Sequence, residues 1–76
     1  MKQKLPAISG KQLIKMLVKK VGYSVHDQKG SHVHLRHPVK QALTIPNHPI
    51  VSKGVLNEII KQLEMKREEF LNLLKK

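Results

Sequence analysis

Two histidines and an arginine at alternate positions, His32, His34 and Arg36, are the residues of this chain best suited to chemistry. They lie in the run Gly30-Ser31-His32-Val33-His34-Leu35-Arg36. In a strand, successive side chains point to opposite faces. Val33 and Leu35 therefore turn toward a core, and the two imidazoles and the guanidinium turn together toward solvent. Histidine is the side chain whose ordinary pKa lies nearest neutrality, so it exchanges protons at cellular pH. Arginine grips phosphate through a planar fork of donors. An imidazole beside a phosphate-binding group is what cleavage of RNA at its own 2′-hydroxyl needs, and DNA lacks that hydroxyl.

On the pattern alone His32 is either an acid–base residue or a plain polar residue of an exposed strand, with Lys29, Ser31, His34 and Arg36 as RNA contacts around it. Arg36 and Lys29 would stabilise charge on the phosphorane oxygens. His34 is open to three roles: general acid, RNA contact or bystander. His37, on the opposite face beside Pro38, reads as structural, and His48 sits in a loop stiffened by Pro46 and Pro49. No metal or other cofactor is expected. His32, His34 and His48 would make a three-imidazole set. However, the nearest acid, Asp27, lies across a turn, no thiolate exists, and no carboxylate pair is present for magnesium.

These residues must be positioned by short elements. Ser9-Gly10-Lys11-Gln12 fits a capping box, with Ile8 and Leu13 at the positions of a hydrophobic staple. Leu13, Ile14, Leu17, Val18 and Val21 recur at helical spacing, with Lys11, Lys15 and Lys19 on a more exposed side. Gly22 ends this helix as a left-handed cap. Residues 23–27 alternate weakly, with Tyr23 and Val25 on one face. Asp27-Gln28-Lys29-Gly30 has the residue preferences of a type I turn. The histidine strand follows, Pro38 ends its pairing, and 41–45 alternates again with Leu43 and Ile45 inward.

This reads as a three-stranded antiparallel meander with Val25, Val33, Leu35, Leu43 and Ile45 against the helices. Ser52 caps a second helical stripe, Leu56, Ile59, Ile60 and Leu63. Phe70, Leu71 and Leu74 resume the helical pattern after a break near 64–67.

The chain has 76 residues and no cysteine, so disulfides and thiolate zinc sites are excluded and packing must stabilise one small domain, 1–76. Its net charge is +10. Residues 1–56 hold nine lysines and one arginine against Asp27 alone, and 57–76 hold five basic and four acidic residues. A positive field so segregated favours polyanions, nucleic acid first. One Tyr, one Phe and no Trp argue against a membrane-surface helix and against single-strand binding by stacking. The start, Met1 to Pro6, is basic but has no signal-peptide apolar region, and no apolar run approaches a bilayer span. The expectation is a soluble, cytoplasmic protein.

Several of these pieces together resemble the HicA toxins of toxin–antitoxin pairs. They are Leu5-Pro6 before Ser9-Gly10-Lys11, Gly22-Tyr23, Gln28-Lys29-Gly30-Ser31-His32, Ile45-Pro46-Asn47-His48-Pro49 and Lys53-Gly54-Val55-Leu56. The resemblance implies a fold similar to a double-stranded-RNA-binding domain. It also implies metal-independent cleavage of mRNA and neutralisation by a HicB-type antitoxin. The family's catalytic Gly-Ser-His histidine falls on His32. Tyr23 stands where the family often has Phe, and Asp27 where it often has a basic residue, a change that removes a phosphate contact.

The expected fold is therefore α+β in the order α-β-β-β-α, with a three-stranded antiparallel sheet and helices on one face. The expected function is an mRNA-cleaving toxin. The alternative is a non-catalytic RNA-binding module of the same fold. The expected protein partner is a HicB-like antitoxin that covers the open sheet face, buries His32 and competes with RNA for the same positive surface.

Overall fold

Ser9 starts the first helix, as its spacing to Gln12 predicts. Its hydroxyl accepts the Gln12 N–H and the Gln12 side chain returns to the Ser9 N–H, which satisfies two of the donors a helix start leaves unpaired. The computed structural model describes residues 6–74. The basic segment 1–4, and Leu5 of the Leu5-Pro6 pair, lie outside them. Helix α1 spans Gly10–Met16 and continues through a π-helical stretch, Leu17–Val21, to Gly22 at φ 97°. The left-handed cap is thus where the sequence puts it. The π widening is not readable from the apolar stripe, which fits either winding. It closes with the Gly22 and Tyr23 N–H groups both donating to the Leu17 carbonyl.

Three strands follow, β1 Ser24–Lys29, β2 His32–Arg36 and β3 Leu43–Pro46, paired antiparallel in the order β1-β2-β3. Helix α2 spans Lys53–Gln62 behind a Ser52 cap whose hydroxyl accepts the Val55 N–H. The chain then breaks, with Glu64 at φ 57°. Helix α3, Arg67–Leu74, restarts with Glu69 accepting the Lys66 N–H. The order is α-β-β-β-α with the last helical region divided in two, an α+β fold on a three-stranded antiparallel sheet.

The buried side chains form one apolar cluster drawn from every layer. Leu13 and Leu17 come from the first helical segment, Val33, Leu35, Leu43 and Ile45 from the sheet, and Leu56, Ile59, Leu63 and Phe70 from the last two helices. Complete burial of a Leu or Phe contributes about 1.5–3 kcal/mol each, so this cluster is what orders a chain without cross-links. Tyr23 is also buried, and its hydroxyl donates to the Gln41 carbonyl at 2.7 Å. Burial pushes its phenol pKa up.

One inward assignment is corrected. Val25 pairs with the buried Leu35, and directly opposed residues share a face, yet Val25 is 54% exposed. Every residue of β1 is exposed, as are none of Val33, Leu35, Leu43 and Ile45. The helices cover β2 and β3 and stop short of the outer edge. Alternation in the sequence reports which face a residue takes, not whether another layer reaches it.

Candidate functional site

His32 opens β2 directly after a two-residue turn. Lys29 pairs with His32, so Gly30 and Ser31 alone connect the strands. Gly30 sits at φ 59° while Ser31 is not in the positive region, the signature of a type II′ hairpin turn with glycine first. The Gln28 side-chain amide donates to the Gly30 carbonyl at 3.0 Å. The sequence predicts instead a four-residue turn over Asp27-Gln28-Lys29-Gly30. The primed turn wins because its twist matches that of the strands, and it carries β1 on through Lys29.

The register then dictates what surrounds each functional side chain. Lys29 and Pro46 flank His32 on either side, Asp27 and Thr44 flank His34, and Ser24 lies opposite Arg36. Val33 and Leu35 are buried, His34 is half-buried, and His32 and Arg36 are exposed. Of the predicted site residues, the sheet therefore brings His32, His34, Arg36 and Lys29 onto one open face. Ser31 is exposed in the adjoining turn.

A bulge makes this constellation. The β1–β2 register shifts between Val25 and Asp27, leaving His26 without a partner on β2. An extra residue in one strand re-aims those beyond it. Without the bulge, Asp27 would fall on the covered face. With it, Asp27 Oδ1 lies 2.5 Å from His34 Nδ1, and His26 Nε2 is 4.0 Å from the other carboxylate oxygen. The hydrogen bond from His34, above all, holds the Asp27 carboxyl below the usual aspartate range against an opposing desolvation, and the charges of His34, His26 and Lys29 act in the same lowering direction. An ionised carboxylate only accepts, so His34 donates its Nδ1–H and Nε2 is the nitrogen left for other work.

His32 differs. Among the described residues its imidazole has no hydrogen-bond partner, and its cross-strand neighbour is a lysine. Its backbone, by contrast, is held firmly. The Asn47 N–H donates to the Ser31 carbonyl at 2.6 Å, and the Gly10 N–H donates to the His48 carbonyl at 2.9 Å. Gly10 is more than a helix-start residue, because a Cβ there would lie 2.2 Å from the Pro46 carbonyl oxygen and 2.8 Å from the Asn47 Cα. Helix α1, the 46–48 loop and the Gly30-Ser31 turn are thus in backbone contact through a position only glycine fits.

His37 is structural, as its place on the other face predicts. Its Nδ1 accepts the N–H groups of Val39 and Lys40, at 3.0 and 2.9 Å, so Nε2 carries the proton and donates to the Val21 carbonyl at 2.9 Å. The ring also packs on Tyr23, centroids 4.9 Å apart. His48 is exposed, and its carbonyl rather than its ring ties the loop down. Among the described residues no three His, Cys, Asp or Glu side chains are gathered to hold a metal ion, and no helix is long and apolar enough to cross a membrane.

Sequence reasoning missed Asp27 as part of the site. The signal was present. Counting outward from Gly30-Ser31 as a two-residue turn sets Lys29 against His32, Gln28 against Val33 and Asp27 against His34. The longer turn concealed that register.

A protein-family model described as the HicA toxin of bacterial toxin-antitoxin matches residues 10–65 of this chain, from the start of α1 past the end of α2. Neither a curated protein nor a solved structure matches it significantly.

Proposed function

The chain belongs to the HicA toxin family of toxin–antitoxin systems, and from that premise we propose that it is an endoribonuclease that cleaves mRNA without a metal, with His32 as its essential acid–base residue. The observation that supports this best is the placement of His32. It stands exposed on the sheet face no helix covers, at the end of a pinned turn and directly across from Lys29.

A ring nitrogen of His32 takes the proton of the RNA 2′-hydroxyl, and the 2′-oxygen attacks the adjacent phosphorus. Lys29 and Arg36 offset the charge that develops on the phosphorane oxygens. Ser31 and His34 add contacts to the same strand. Positioned proton transfer contributes about 10²–10⁴-fold, or about 3–5 kcal/mol of the barrier. The 2′-hydroxyl supplies the nucleophile, so RNA is selected over DNA by chemistry rather than by base reading.

The antitoxin partner of this family is, on the same reading, a HicB-like protein that covers the open face of β2 and its flanking residues. One positive face cannot hold an acidic protein and an RNA strand together, so inhibition is by occlusion. An interface of at least about 1,000 Å² is needed for a specific complex, and one centred on β2 would cover Lys29 and Arg36 together with His32. The proposed place of action is the cytoplasm, where mRNA is found.

The test is degradation of RNA by the purified protein in excess chelator, wild type beside His32→Ala. Cleavage by the wild type and none by the variant supports the reading. Binding without cleavage favours an RNA-binding module instead, and cleavage only after added metal overturns the mechanism. For the partner, hydrogen exchange on the toxin–antitoxin complex should protect residues 31–36. Protection confined to α2 and α3 would mean that inhibition does not act by covering the site.

A further inference from the structure

We propose that His34, held by Asp27, is a second catalytic residue, the general acid that protonates the leaving 5′-oxygen. The inference rests on the RNA-cleaving reading above and assigns the half of the reaction that His32 leaves undone. Transfer within RNA needs one group to remove the 2′-hydroxyl proton and another to supply a proton to the departing oxygen. On this sheet the second group is built in. Asp27 takes the Nδ1–H of His34 at 2.5 Å, which fixes the ring's orientation and directs Nε2 to other partners. The same carboxylate faces the charge of the protonated ring, as an aspartate does for a histidine that cycles through its imidazolium.

The two rings are suitably spaced. They occupy alternate positions of one strand, with Cα atoms roughly 6.6–7 Å apart, so both can reach the two oxygens of a single phosphodiester. Their neighbours divide the labour. His34 has a carboxylate across the strands, hydrogen-bonded to its ring, and His32 has Lys29, so the carboxylate-held ring is assigned the acid's part and His32 the base's. Arg36 continues the row beyond His34. Thr44, on the β3 side, brings no charge.

The step balances without any further reagent. The 2′-hydroxyl proton passes to His32 as the 2′-oxygen bonds to phosphorus. The bond from phosphorus to the 5′-oxygen breaks, and its electron pair takes the proton from His34 Nε2. The products are a 2′,3′-cyclic phosphate and a 5′-hydroxyl end. His32 is left protonated and His34 neutral, and exchange with water restores both. Asp27 acts only through His34 and is a positioning residue.

The assignment is tested with two oligoribonucleotides that carry a linkage the wild type cuts. One is all-oxygen, and in the other sulfur replaces the bridging 5′-oxygen. A thiolate leaves without a proton. His34→Gln should lose about 10²-fold or more on the oxygen substrate and less than about tenfold on the sulfur one. His32→Ala should be impaired on both. Asp27→Asn should show a smaller loss with the same sulfur rescue, and Asp27→Asn combined with His34→Gln should be no worse than His34→Gln alone. A merely structural role for either residue would lower both substrates equally. Equal losses, or a His34→Gln variant as fast as wild type on oxygen, would overturn the assignment while leaving the role of His32 standing. A wild type that cuts neither substrate would remove the RNA-cleaving reading itself, and this one with it.

Discussion

The same side chain does opposite work at the two ends of β2. At its far end His37 has both ring nitrogens engaged by backbone, Nδ1 by the Val39 and Lys40 N–H groups and Nε2 by the Val21 carbonyl. On the open face His34 has one nitrogen engaged, by a carboxylate, and among the described residues the imidazole of His32 engages nothing. The series runs from a histidine that closes a loop to one ready for a ligand. What separates them is how many of the two nitrogens the fold has already claimed, and that is set by register rather than by the identity of the residue.

The largest effect expected from this contrast is functional. His32→Ala should cut RNA cleavage by about 10²–10⁴-fold in a chelator-containing assay, with the melting temperature nearly unmoved because the residue is exposed and, among the described residues, its ring makes no hydrogen bond. A variant that lost activity together with stability would place His32 with His37. Next comes His37→Ala, which leaves two N–H groups and one carbonyl without their partners. A loss of about 1–3 kcal/mol is expected, read by denaturant unfolding, and cleavage per folded molecule should be unchanged.

A smaller loss, about 0.5–1.5 kcal/mol, is expected for Tyr23→Phe. It removes the hydroxyl bond to the Gln41 carbonyl and keeps the ring that packs on His37. If Tyr23→Phe proved as costly as His37→Ala, the loop after β2 would depend on the phenol rather than the imidazole.

The smallest effect is the acid dependence of stability. The Asp27 pKa is lowered in the fold, chiefly by the His34 hydrogen bond. The corresponding stability is fully present above the ordinary aspartate pKa and is lost as pH falls through the lowered value. Asp27→Asn should flatten that acid limb in urea titrations through a small loss of stability at neutral pH that vanishes toward acid. An acid limb as steep in Asp27→Asn as in the wild type would mean that the open-face pair does not contribute to it.

Most of the fold was legible in the sequence because local rules and burial agree there. The Ser9 box, the Gly22 cap, the Ser52 cap and the break near residue 64 each rest on a backbone need that a particular residue type meets. The inward set of β2 and β3 followed from strict alternation between turns. β1 was less legible, for two physical reasons. Its bulge at His26 interrupts the period of two, so no alternation rule carries across it. Its covered-side residues also lack a layer above them, which burial patterning presupposes.

The site was legible in the same measure. His32, His34 and Arg36 share a strand, and their common face follows from the period. Asp27 joins them from another strand, through a register that one misjudged turn was enough to hide. Gly10 was legible as a helix start but not as the point where α1 meets the 46–48 loop. That approach is tertiary, and nothing in the local sequence records it.

The bulge has a consequence for solubility as well. A three-stranded sheet has two open edges, and any edge that presents a regular ladder of amides can recruit another copy of itself. Here β1 is irregular at His26 and carries Asp27 and Lys29 just beyond it, while β3 ends at Pro46, which has no amide hydrogen to offer. Neither border templates a further strand cleanly. The kink that carries Asp27 to His34 thus also makes this edge a poor template for a strand of another copy.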